Sequence, residues 1–356
     1  MKRAPGFLLL ALLAAVAAGC RSMAAPFDID TGDDDDGTTD GDADGDGDTD
    51  TDADGDADTD SGSDTAGPIV PDCSACEGLV GGTLEAMRCA VDLCDDEVLV
   101  SQEYVSLSAS PASGTASAVQ RFGAVTNALA PVLNDTYALM ASGPAEGTSH
   151  SQGMGGTPAE DPFTADGVAI NDVYEWRLTL KAPPGAHGFS VAYVFFSEEY
   201  DEYIGASYND RFYIIVESSE TSDGQPTVIN HGPCRAEGGS PDFTGADCDE
   251  PDGQCCFISP KSDFSECCWF GGCPDGTFAT DISGTGFECA PTQQSDSSTT
   301  GSSTGWLRTS WPIVPGEQFR LTFHIHDSGD GIFDSEVILD SLLFIGQVEP
   351  GTVRIE

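Results

Sequence analysis

Hydrophobic positions along this chain follow two patterns. One is a single unbroken apolar run over residues 7–18, which stops at Ala17-Ala18-Gly19-Cys20. The other begins near Val98, where short apolar runs, several alternating with polar residues, recur at 98–100, 136–140, 174–180, 188–196, 211–216, 319–325 and 337–345. Clusters of Gly, Pro, Asn and Asp separate them. A period of two puts successive side chains on opposite faces of a strand. Runs of this kind with no long amphipathic helix among them predict an all-β fold, an antiparallel β-sandwich or jelly-roll-like domain over residues 99–346. Residues 347–356 then form a C-terminal strand or tail. The one helical signal is 83–91, where good helix formers lie between cysteines and predict a short helix.

The first apolar run is an export signal rather than a membrane span. It is too short to cross a bilayer, and Lys2 and Arg3 precede it. Small residues before Cys20 and polar Arg21-Ser22 after it predict a lipoprotein signal over 1–19 and a lipidated Cys20, anchored to the membrane through that lipid. The alternative is an ordinary cleaved signal in which Cys20 is incidental. Arg21 rather than Asp after the anchor points to the bacterial outer membrane or cell surface.

Charge sharpens this picture. The formal net charge of −48 argues against nucleic acid as a partner, because phosphate binding needs clustered Lys and Arg. Between Asp28 and Asp64 there is no Lys, Arg or aromatic residue. Like charges with little apolar surface cannot offset chain entropy, so residues 20–68 are expected to be a disordered, extended tether. Within it, runs starting at Asp40, Asp42 and Asp50 open like calcium loops. Their twelfth positions are Thr51, Ala53 and Ser61, so the bidentate Glu of an EF-hand is missing each time.

Of the 13 cysteines, 12 remain once Cys20 is lipidated. In an oxidising compartment they read as disulfides, with connectivity not deducible from spacing. Cys73, Cys76, Cys89 and Cys94 define a small unit over 69–98, in which two disulfides would pin the short helix. A zinc site is the competing reading, disfavoured by spacing and compartment. Cys234, Cys248, Cys255, Cys256, Cys267, Cys268, Cys273 and Cys289 lie in a segment, 231–291, poor in aliphatic residues. That segment reads as a cross-linked insertion between strands, followed by a Ser/Thr-rich return linker over 293–305.

Two motifs stand apart. The first is Phe195-Phe196-Ser197-Glu198-Glu199-Tyr200, followed by Asn209-Asp210-Arg211-Phe212; the second is Asp327-Ser328-Gly329-Asp330, followed by Asp334-Ser335-Glu336-Val337. In this order they resemble the choice-of-anchor L domain family over roughly 99–346, the cysteine insertion excepted. The resemblance implies a β-sandwich held at the bacterial surface. It implies no substrate, because the family has no settled activity.

Read for their own chemistry, these motifs crowd carboxylates that repel unless a cation or hydrogen-bond donors neutralise them. All-oxygen ligands on glycine-containing turns suit Ca²⁺. Glu198, Glu199, Asn209, Asp210, Asp327, Asp330 and Asp334 are therefore candidate ligands of a structural Ca²⁺. The competing reading makes Asp and Asn turn caps and leaves the Glu side chains solvated.

Enzyme signals are weak. His324 and His326 share one strand face and could bind a metal, but the companion ligands of known patterns are missing, which leaves them packed or hydrogen-bonded at the sandwich edge. Glu198 and Glu199 are neighbours pointing opposite ways, not two carboxyls facing across a cleft as glycoside hydrolysis requires. Trp269, Phe270, Trp306 and Trp311 could stack sugar rings or fill core. The sequence thus favours a non-enzymatic, surface-anchored adhesion or matrix-binding lipoprotein, with a surface polysaccharide or a matrix or cell-surface protein as its partner. The alternatives are a carbohydrate-binding or carbohydrate-active sandwich and a structural envelope component.

Overall fold

The computed structural model describes residues 71–123, 129–150, 153–164, 167–200, 207–232, 256–265, 282–288 and 300–355. The signal, Cys20, the tether and its Asp loops lie outside these residues. So do Asp201, Glu202, Trp269, Phe270 and, Cys256 apart, the cysteines of the insertion.

A 3-10 turn (Ser74–Cys76) and helix α1 (Leu84–Ala90) precede β1 (Leu99–Ser106), β2 (Ala116–Val119), β3 (Tyr137–Ala141), β4 (Ala159–Glu160) and β5 (Ala169–Lys181). Then come β6 (Gly188–Tyr200), β7 (Arg211–Glu217), β8 (Thr227–Val228), β9 (His231–Gly232) and β10 (Cys256–Phe257). The chain ends with β11 (Thr300–Ser303), β12 (Leu307–Pro312), β13 (Gln318–Ser328), β14 (Ser335–Ile345) and β15 (Gly351–Arg354). One sheet runs β1-β5-β13-β7-β8 with β4 on β5. The other runs β15-β12-β6-β14-β3-β2, with β11 beside β12 on the same edge of β6. The strand pairings within both are antiparallel, and the two sheets pack as a β-sandwich.

Alternation decides what lies between the sheets. Phe189, Val191, Tyr193 and Phe195 of β6 meet Phe319, Leu321, Phe323 and Ile325 of β13 and Phe212, Ile214 and Val216 of β7 in one buried cluster. Rings from opposite sheets touch, with Phe189 stacked on Phe319 at 5.6 Å between centroids and Tyr193 tilted against Phe212 at 5.3 Å. The outer faces of the central strands are covered as well. Val194, Phe196 and Ile338 pack under Phe122, Phe287 and Trp306, and Tyr213 and Ile215 pack with Phe257. Double coverage accounts for the unbroken apolar stretches at 193–196 and 212–216, since a strand buried on both faces has no polar side to present.

Cys73 pairs with Cys94 and Cys76 with Cys89, a nested pair of disulfides around α1. Thr83 caps the helix, its hydroxyl accepting from the Ala86 N–H at 3.1 Å. Seven residues of helix are too few to persist alone. Met87, Ala90 and Val91 accordingly enter the main core cluster, so the cysteine unit shares the sandwich's core.

Two expectations need correction. The 293–305 segment does not stay a linker, because Thr300–Ser303 adds to β6 as β11. The histidine strand, β13, is central in its sheet rather than at an edge.

Removing one nested disulfide as the pair Cys76→Ala/Cys89→Ala should cost about 2–4 kcal/mol, because the unfolded chain regains loop entropy. Calorimetric melting of the variant against the parent measures it.

Candidate functional site

The alternation that fills the core continues past its apolar part. On β6 the inward positions after Phe195 are Ser197 and Glu199; on β13 the one after Ile325 is Asp327; before Phe212 on β7 comes Asp210; before Val337 on β14 comes Ser335. One end of the inter-sheet layer is therefore acidic. Glu199, Asp210 and Asp327 are enclosed, with 1%, 0% and 1% of their surface exposed.

Asp210 is the best satisfied of the three. Its Oδ1 accepts from the Ser328 N–H at 2.9 Å and its Oδ2 from the Ser335 hydroxyl at 2.7 Å. Its own N–H donates to Glu199 Oε2 at 3.1 Å. Burial pushes the Asp210 carboxyl up to about 7 despite these bonds. Glu199 is held well above the usual carboxylate range by burial and then by the Asp210 and Asp327 charges. Asp327 is raised likewise, by burial first and Asp210 next. Among the described residues neither Asp327 oxygen has a hydrogen-bond donor at bonding geometry, and the nearby Ser142 hydroxyl is engaged with the Ser335 backbone.

The other candidates divide. Asp334 is buried near Asp327, and its carboxylate fills the space a side chain at Gly143 would need. Asp330 is a turn cap, accepting from the Ile332 N–H at 3.1 Å. Asn209 is buried beside Asp210. Glu198 points away from the cluster onto the outer face, where burial alone raises it to about 7. Both Glu side chains are thus enclosed, not solvated. Asp172 joins the site without having been anticipated. It sits at a bulge opposite His326 with φ of 44°, where it accepts from the Ser110 hydroxyl at 2.6 Å and the Met154 N–H at 2.9 Å. Its charge raises Asp327 further. Among the described residues no three His, Cys, Asp or Glu side chains already stand at metal-ligand spacing, so a bound cation would have to draw the carboxylates together.

The histidines belong to a separate buried network on the outer face of the β13 sheet. Glu175 Oε1 contacts His324 Nδ1 at 2.8 Å, and His324 Nε2 contacts His326 Nδ1 at 2.8 Å. Beyond His326, Asp161 Oδ2 accepts from Arg211 at 3.0 Å and from the Tyr213 hydroxyl at 2.6 Å. Burial raises the Glu175 carboxyl, but His324 and Arg177 outweigh it and leave the group low. Burial, with His324 and Arg211 adding to it, holds His326 well below its usual value, so the imidazole is neutral. These are cross-strand partners, His324 lying opposite Glu175 and Tyr213, and His326 opposite Arg211. Trp306 is core, and Trp311 is half-buried with its indole N–H on Thr221.

Arg211→Met should cost about 3–5 kcal/mol by stranding the Asp161 charge, and Arg211→Met/Asp161→Leu should recover part of it. Denaturant melts of the two variants test this.

No family model matches the chain, and no curated protein does. Among solved structures it is similar to TmCBM61 in complex with beta-1,4-galactotriose, at 8% identity and a TM-score of 0.27 over 70% of this chain and 91% of that one. A similarity this low assigns no ligand.

Proposed function

We propose that this chain is a surface-tethered, non-catalytic adhesion or matrix-binding lipoprotein whose sandwich is completed by a structural Ca²⁺ held by Glu199, Asp210, Asp327 and Asp334. One observation carries the reading: Asp327 is enclosed between the sheets, no donor among the described residues stands at bonding geometry to either carboxylate oxygen, and the charges of Asp210, Asp334 and Asp172 bear on it. Buried carboxylates so arranged need protons or a cation. An all-oxygen set suits Ca²⁺, and an exported protein meets millimolar calcium. Enclosed acids cannot touch a substrate, so their role lies in the stability of the fold, and binding is left to the outer surface. The lipoprotein signal, the acidic tether and the resemblance to choice-of-anchor L domains support placement at the bacterial surface.

The pH dependence follows from the raised carboxyls. Without a cation, the stability they contribute is full below their unfolded values near 4 and is lost as pH rises through the folded value near 7 of Asp210. Calcium should therefore raise the calorimetric midpoint of the intact chain at pH 7.5 by several degrees, about 2–4 °C per kcal/mol. It should do so far less at pH 4.5 and not at all in Asp327→Asn. Equal midpoints in Ca²⁺ and EGTA at pH 7.5 remove the ion. Loss of cell clumping on deletion, together with a blank glycan array, supports adhesion; glycan hits would make the ligand a saccharide instead.

A further inference from the structure

We propose that a single Zn²⁺ ion binds on the outer face of the β14 sheet, between His150 and Glu336, and fastens segment 282–288 onto the sandwich. The inference rests on neither the calcium reading nor the lipid anchor.

Parity on β14 sets the site up. Val337 lies in the core between the sheets, so Glu336 points out, with Phe196 and Ala141 as its cross-strand neighbours. An outward Glu is ordinarily solvated, yet this one is 0% exposed. His150 lies against it, stacked on Phe287 at 3.9 Å between centroids, with Phe122 edge-on at 6.4 Å. Segment 282–288 supplies much of the cover. Phe287 also stacks on Phe196 at 5.2 Å. Gly286, at φ of 93°, has no room for a side chain, because a Cβ there would meet His150 Nε2 at 2.7 Å.

The hydrogen bonds fix which way the imidazole faces. His150 Nε2 is 2.7 Å from the Thr285 carbonyl. A carbonyl only accepts, so Nε2 carries the hydrogen and the neutral ring turns the lone pair of Nδ1 towards Glu336. Nδ1 stands 3.8 Å from Glu336 Oε2. Among the described residues neither Nδ1 nor either Glu336 oxygen has a hydrogen-bond partner. The other charges that bear on Glu336 are those of Asp334 and Glu146, both acids. Three bare acceptor atoms thus meet in an enclosed, ring-lined place.

A proton shared by the pair is the simpler filling. At 3.8 Å the two atoms are too far apart for that hydrogen bond, and it would leave the second Glu336 oxygen bare. A zinc ion fits better. Bonds of about 2.0–2.1 Å to each atom set two ligands about 3.3–3.4 Å apart at the tetrahedral angle, so a closure of about half an ångström completes them. An imidazole nitrogen with carboxylate oxygens is a zinc set, whereas Ca²⁺ takes oxygen alone. Asp334 is the further donor: its N–H bonds the His150 carbonyl at 2.7 Å, and its charge leads those acting on Glu336. With Thr285 on Nε2 and the ion on Nδ1, one imidazole ties 282–288 to β14.

Isothermal titration of the intact chain with Zn²⁺ at pH 7.5, in about 2 mM Ca²⁺ to occupy oxygen-only sites, tests this. One ion should bind with Kd of about 1 μM or below. Glu336→Gln, which removes a buried charge and so spares the fold, and His150→Gln should each weaken it at least about a hundredfold, since even outer-shell partners of a metal are worth 10–100-fold. Asp327→Asn should keep the affinity within about threefold, so failure of the calcium reading and failure of this one are read separately. Zn²⁺ should also slow amide hydrogen exchange over 282–288 in the parent and not in Glu336→Gln. No Zn²⁺ binding below ~100 μM, affinity that survives either the Glu336 or the His150 substitution, or exchange over 282–288 that Zn²⁺ leaves unchanged would overturn the proposal.

Discussion

The structure depends on one constraint: β6, β7, β13 and, as far as its bulge after Asp340, β14 keep their two-residue alternation in register across the gap between sheets. The alternation sends aromatic and aliphatic side chains inward for most of the sandwich. At one end the same alternation, unbroken, sends Glu199, Asp210, Asp327 and Ser335 inward. The apolar layer and the acidic layer are thus one structural decision. A strand cannot turn its last carboxylate to solvent without also turning its phenylalanines out.

This coupling gives the acids their character. In solvent, Glu199 and Asp210 would be ordinary carboxylates at low energetic cost. Enclosed together, they are raised by desolvation and by one another, and the sandwich must neutralise them. The His324–His326 network solves a similar problem on the other face of the same strand by a different route. It interleaves Arg177, Glu175, Asp161 and Arg211, so that negative groups have positive partners. One strand therefore carries a charge-balanced buried network on one face and an acid-rich one on the other.

The cysteine unit shows how a short helix becomes permanent. Disulfides spanning 21 and 13 residues hold α1 in shape, and its apolar side is absorbed into the core. Its far end meets β14 through the backbone bond from Leu342 to Val91 at 2.9 Å and through the Asp92–Asp340 pair. The residues that follow the Asp-rich segment are in this way joined to a central strand of the sandwich.

Much of this was legible along the chain. Period-two runs announced the long strands because each buries at least one face, and cysteines around good helix formers announced α1. Strands β2 and β12 were not legible, and β15 was legible only as a strand or a tail. Ala116–Val119 is built of small residues, Leu307–Pro312 mixes Arg, Thr and Ser, and Gly351–Arg354 is a short edge whose partner is distant in sequence. Such segments become strands only because a neighbour offers hydrogen bonds. The acidic motifs could be located from sequence, since carboxylates crowd there whatever the fold. Which of them meet was decided by tertiary structure alone. Parity on β6 separates Glu199 from Glu198, a bulge recruits Asp172, and a local backbone donor leaves Asp330 as a turn cap. The sequence determines that carboxylates crowd near these turns; only strand register across two sheets determines which of them are buried and which face each other.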